Sequence, residues 1–189
     1  LTGEMEAVET LAARAGIPTT GIRKRLLVMA KRGLVWFDKQ AGEPRFRLAP
    51  FVVGIYEAQL ENMDHELAHL FEHYMLDGGA AGIMGPEPAV HRVVPTQGSA
   101  KSEWILPYDD VRAILEGAKS FRVTDCICRV QQQRVGRGCA LPLRNCLSFS
   151  SRESAPGPHS ASREEALAIL DEAEAAGLVH TVSNVRDGV

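Results

Sequence analysis

The sequence predicts an α+β fold, and three observations carry that expectation. Apolar residues recur at helical spacing in several segments that end at glycine or proline. Short runs such as 34–38 and 45–49 read as strands facing each other across a turn. All four cysteines fall between positions 126 and 146, so one stretch of chain is set apart from the rest.

From the N-terminus, residues 7–15 predict a short amphipathic helix with Val8, Leu11 and Ala12 on one face, stopped by Gly16. After the Ile17-Pro18 turn, Thr19 or Thr20 is placed to cap a second helix through Arg32, because a hydroxyl there accepts from an orphan amide. Ile22, Leu26, Met29 and Ala30 make its buried stripe, and Gly33 ends it. Strands at 34–38 and 45–49 flank a turn at 39–44. Helix, tight turn, helix and hairpin is the order of a winged helix-turn-helix, with a first helix expected before or at Leu1. Ile55, Leu60, Met63, Leu67, Leu70, Phe71 and Met75 predict one long helix over 55–75. Gly78, Gly79, Gly82, Pro86 and Pro88 predict a linker near 77–89.

In the C-terminal half, 91–95 reads as a short strand and 109–118 as a helix introduced by Pro107, with Val111, Ile114 and Leu115 inward. Asp109 and Asp110 suit the positive end of its dipole. Residues 121–125 form a strand feeding the cysteine segment, and 150–161 is a loop rich in serine and proline. Ser162 and Glu165 form a capping box for a helix that Gly177 stops, and 178–182 is a closing strand. The expected organisation is a winged-helix module at 1–50, an acidic helix and linker at 51–90, and a small α/β domain at 91–189 that carries the four-Cys site.

The chain has 189 residues and a formal net charge of −3, which excludes a nucleic-acid binder acting through bulk charge. The charge is unevenly spread: +4 over 1–50, −7 over 51–90, +4 over 91–146 and −4 over 147–189. Such blocks suggest distinct modules or docking surfaces. No apolar run is long enough to cross a bilayer, no signal peptide is visible, and a cytoplasmic location is expected. Leu1 in place of an initiating Met leads us to expect a piece of a longer protein.

Cys126, Cys128, Cys139 and Cys146 have the spacing C-x-C-x10-C-x6-C. Three chemistries compete for them. A disulfide between Cys126 and Cys128 would be strained. Four thiolates suit tetrahedral Zn2+, although zinc knuckles are usually C-x2-4-C. An iron–sulfur cluster also takes four cysteine thiolates. The neighbourhood favours the cluster, because Arg129, Arg134, Arg137 and Arg144 offset its negative charge. Gly136 and Gly138 let backbone amides approach the sulfides.

Several motifs resemble a family of 4Fe-4S ferredoxin-type iron–sulfur binding proteins. They are Asp125-Cys-Ile-Cys-Arg129, then Gly138-Cys-x-x-Pro142-x-x-Asn-Cys146-Leu-Ser-Phe149, and the run from Ser162 to His180. Leu48-Ala-Pro-Phe51 through Tyr56-Glu and Met63-Asp-x-Glu-Leu-Ala resemble the family's N-terminal module. The resemblance spans nearly the whole chain. It implies a [4Fe-4S] cluster on the four cysteines and a role in electron transfer; the residues themselves offer Arg129 and Arg137 as charge partners and imply no substrate chemistry. It further implies a ferredoxin portion beyond Val189 that would receive the electrons. Ala140 departs from the family, which often has Asp there.

Two further groups compete with this reading. Arg23, Lys24, Arg25, Lys31 and Arg32 lie on the second helix, with Arg45 and Arg47 on the hairpin, as for phosphate contacts in a DNA groove. The adjacent acidic block opposes a duplex. His65, His69 and His73 recur every four residues, and His65-Glu66-Leu67-Ala68-His69 matches H-E-x-x-H, but a solvated polar face suits them better than a protease centre. Trp36 and Trp104 read as packing anchors. The expected function is electron transfer through a bound [4Fe-4S] cluster, with zinc as its substitute in purified protein. The expected partner is a redox protein or the ferredoxin portion, with homo-oligomers allowed. A DNA-binding regulator with a redox- or metal-sensing Cys site stands second, and a zinc-stabilised structural module third.

Overall fold

The computed structural model describes residues 1–38, 42–85, 91–94 and 110–183. Helix and antiparallel sheet are mixed throughout, consistent with an α+β chain. Two compact units divide it, Leu1–Met63 and Asp64–Val189. No helix among the described residues is long and apolar enough to cross a membrane.

In the first unit, strand β1 (Glu6–Ala7) runs into helix α1 (Val8–Ala15), followed by α2 (Thr19–Lys31), β2 (Val35–Asp38) and β3 (Arg45–Leu48). The strands form an antiparallel sheet in the order β1-β3-β2, with Phe46 opposite both Glu6 and Phe37. The two helices close over that sheet. Val8, Leu11, Ala12, Ile22, Leu26, Val35 and Phe46 make one buried cluster, with Ile17, Met29 and Ala30 against it. Helical spacing puts the first five on facing stripes, and strand alternation turns Val35 and Phe46 to the same side.

Two features differ from the sequence-based expectation. Neither Thr19 nor Thr20 caps α2: Pro18, at φ −55° and ψ 140°, is the preceding residue, and its carbonyl accepts from the Gly21 and Ile22 amides. Proline's fixed φ starts the helix at once and leaves Thr19 inside the first turn. The second concerns Gly33, which does end α2, at φ +71°, but has another constraint as well. A Cβ there would stand 2.1 Å from that of Ala58, so the residue also admits the following segment.

The helix expected over 55–75 is broken. The chain turns at 51–55, forms a 3-10 helix at Glu57–Asn62, and starts α3 only at His65, running to Tyr74. Met63, at ψ 82°, interrupts the helical path, and the Asp64 carboxylate caps α3 by accepting from the Leu67 amide at 2.8 Å. The expected linker is helical in its first part, where a turn at 75–79 leads into α4 (Ala80–Met84). Pro86, Pro88, Trp104, Pro107 and Asp109 lie outside the described residues.

The second unit continues with β4 (His91–Val93), α5 (Val111–Glu116), β5 (Ser120–Thr124), α6 (Ile127–Arg134), β6 (Cys146–Ser150), β7 (Ser160–Ala161), α7 (Arg163–Ala175) and β8 (Thr181–Ser183). β5 is central in a sheet ordered β6-β5-β7, and β4 pairs antiparallel with β8. Val94, Val111, Leu115, Ala118, Phe121, Ala166 and Leu170 form the core. The capping box is present in full: Ser162 accepts from the Glu165 amide, and the Glu165 carboxylate accepts from the Ser162 amide. The whole segment 150–161 is not loop, because Ser160 and Ala161 join the free edge of β5.

Candidate metal centre

The cysteine segment is built on two elements that its sequence did not announce. Only Ile127 and Gln131 of α6 are buried, so the helix has almost no apolar stripe. Its docking surface is α3. The Gln131 side-chain amide donates to the Ala68 carbonyl at 3.1 Å and to the Glu72 carboxylate at 3.0 Å. Gln132 donates to the same carboxylate at 3.2 Å, and Arg137 completes the set as an ion pair with Glu72. These contacts hold the Glu72 carboxyl below its ordinary range, with Arg137 the largest cause and Gln131 next. Sequence reading missed Gln131, Gln132 and Glu72. The available signal was charge, since an acidic block precedes the basic block that holds the cysteines.

The second element is β6. Its pairing with β5 sets Cys146 opposite Thr124, two residues before Cys126. The loop between α6 and β6 turns at Gly136, φ +78°, and the Arg137 amide donates to the Gln132 carbonyl at 2.8 Å. It then doubles back across the start of α6. The Cys126 amide donates to the Leu143 carbonyl at 2.8 Å, and the Arg129 guanidinium donates to the Pro142 carbonyl. Cys126, Cys128 and Cys146 therefore gather at one end of the β5–β6 pair. Cys139 lies in the exposed stretch of the loop.

None of the four cysteines is in a disulfide; Cys126 and Cys146 are half-buried, and Cys128 and Cys139 are exposed. Cys126 immediately precedes α6, where amides and the helix dipole favour negative charge. Its thiol is lowered from 9.0 to about 6. A hydrogen bond from the Cys128 thiol is the largest cause; burial opposes it, and the Arg129 amide and charge and the Cys128 amide add to it. These contacts favour the thiolate of Cys126, the form in which cysteine binds metal.

The donor chemistry suits a thiolate-ligated group, and the backbone brings three of the four cysteines to one end of the β5–β6 strand pair. The side chains do not close round a common point: among the described residues, no group of three or more His, Cys, Asp or Glu is arranged to hold a metal ion. Arg129 stands beside the cysteines, whereas Arg137 is held by Glu72. Arg134 and Arg144 are exposed.

The remaining candidates are dispersed. Arg23, Lys24, Arg25, Lys31 and Arg32 are exposed on or just after α2, and Arg45 is exposed on β3. The Arg47 guanidinium lies 4.4 Å over the Trp36 ring. His65 and His69 touch on α3, with their Nε2 atoms 3.2 Å apart. No family model matches the chain, and no curated protein or solved structure matches it.

Proposed function

We propose that this chain binds an iron–sulfur cluster of the [4Fe-4S] type on Cys126, Cys128, Cys139 and Cys146 and serves in one-electron transfer. The observation that carries the reading is the β5–β6 pairing, with Cys146 opposite Thr124 and the Cys126 amide tied to the Leu143 carbonyl. That pairing brings ligands distant in sequence to the start of one short helix. The resemblance of its cysteine motifs to those of ferredoxin-type iron–sulfur proteins is in keeping with this reading. A bound cluster supplies reversible uptake of one electron, at a potential set by burial and by hydrogen bonds to sulfur. The chain's own residues tune that environment. Arg129 offers positive charge beside Cys126, and Gly136, in the left-handed region, lets the chain turn after α6 ahead of Cys139. Arg137 acts at one remove, by fixing the loop to Glu72. In this reading the electron partner is a redox protein or a ferredoxin portion of the same longer chain.

Anaerobic purification with iron, sulfide and zinc analysis tests this, run beside Cys128→Ser. We expect about four iron and four sulfide per chain, with a visible band that dithionite bleaches and the variant lacks. One zinc without sulfide would replace the electron carrier with a zinc-stabilised module.

A second reading concerns the first unit. Its order of two helices and a hairpin, with sheet order β1-β3-β2, supports a winged-helix module. The exposed Arg23, Lys24 and Arg25 on α2 suit phosphate contacts, so the unit would make the chain a DNA-binding regulator with a sensing Cys site. We expect duplex binding that weakens with salt and is lost in Arg23→Ala/Arg25→Ala. No binding at low salt sinks this alternative.

A further inference from the structure

We propose that His65 and His69 form a second, independent site, a two-imidazole chelate for a divalent transition-metal ion of the Zn2+, Ni2+ and Cu2+ class. Residues four apart on a helix share a face, and here the two imidazoles meet through their Nε2 atoms. The two nitrogens are 3.2 Å apart, with ring centroids at 4.5 Å and planes at 61°. Metal–imidazole bonds are about 2.0–2.1 Å, so two of them spanning that gap meet at an angle of about 100°. That angle falls between square-planar and tetrahedral coordination. Without a metal, the same contact needs one nitrogen to carry a proton and the other a lone pair. A cation takes the place of that shared proton, which moves to Nδ1 of the ring that carried it, and uses both Nε2 lone pairs.

The surroundings favour a cation. Asp64 and Glu66 flank His65, and no Lys or Arg occurs anywhere between positions 51 and 90. His65 is exposed and His69 half-buried, so water completes the coordination. Among the described residues, no third His, Cys, Asp or Glu joins the pair. His73, a further turn along, stands about 80° round the axis from His65. Hydrolytic zinc centres use three protein ligands, so the match to H-E-x-x-H does not extend to protease chemistry here. Imidazole pairs select the late first-row metals, with Cu2+ bound most tightly.

The test is Ni2+ titration of the metal-free full chain, with cysteines alkylated in one arm and left free in the other. Imidazole NMR signals report each histidine separately. We expect the His65 and His69 signals to broaden together, ahead of those of His73, His91, His159 and His180, in both arms. His65→Ala and His69→Ala should each lose at least about tenfold in Ni2+ affinity, while His73→Ala binds like the parent. Asp64 still caps α3 in these variants, and circular dichroism checks that the helix remains. Broadening that begins at another histidine, or a His69→Ala variant that binds as the parent does, overturns the site. Neither result bears on the four-thiol centre, whose iron and sulfide content is measured separately.

Discussion

The unit Leu1–Met63 and the cysteine-bearing end of the second unit are held by different forces. The first closes over seven buried apolar residues drawn from two helices and two strands. Around the cysteines, α6 contributes Ile127 alone as a buried apolar side chain, and its position depends on Gln131, Gln132 and Arg137 meeting Glu72. Apolar burial is additive and tolerant of small shifts. Hydrogen bonds contribute little net energy when made and cost more when one partner is left buried alone. The first region is therefore held by its own core, and the second by a few polar contacts; if the proposed metal binds, it would add to them.

Truncation in the apolar region should have the largest effect. Phe46 is fully buried between the strands and helices of the first unit. Phe46→Ala should cost about 3–5 kcal/mol. A unit of this length has roughly 3–9 kcal/mol to lose. Hydrogen exchange should show β2 and β3 losing most of their protection, whereas unchanged protection there would mean that the core lies elsewhere. Next is Gln131→Ala, which removes the donor to Ala68 and Glu72 at a buried position. We expect about 1–3 kcal/mol, confined to α6 and read as faster exchange of its amides. A global loss would contradict the local role.

Ser162→Ala removes the N-cap of α7 and should cost about 1 kcal/mol, read from the urea midpoint. It serves as a calibration, because it touches neither the first unit's core nor α6. The smallest effect is acid sensitivity. Glu72 has a folded-state pKa below its unfolded value, so its contribution is complete above the ordinary carboxylate range and is lost as pH falls through the lowered value. Exchange protection of α6 should decline over that acid range in the parent and change less in Glu72→Gln. Equal behaviour of the two proteins would remove Glu72 from the docking.

The sequence was legible where periodicity and capping act locally. Val8, Leu11 and Ala12, the Ile22-Leu26-Met29-Ala30 stripe, the strand pair and the Ser162–Glu165 box all follow from spacing within one element. The 55–75 segment misled for a related reason. Apolar residues three and four apart fit a continuous α-helix, yet a 3-10 turn followed by a capped helix satisfies the same spacing. The Asp64 cap decided between them.

The cysteine region divides along the same line. Composition alone identified the thiols, their clustering and the arginines beside them, because chemistry is carried by residue type. Tertiary structure alone decided that Ile127–Arg134 is a helix, that Cys146 opens a strand opposite Thr124, and that Arg137 answers to Glu72. A helix with so few apolar residues has no periodic signature to read. It forms where α3 supplies a carboxylate and a carbonyl at the right height, partners that lie about sixty residues away in sequence.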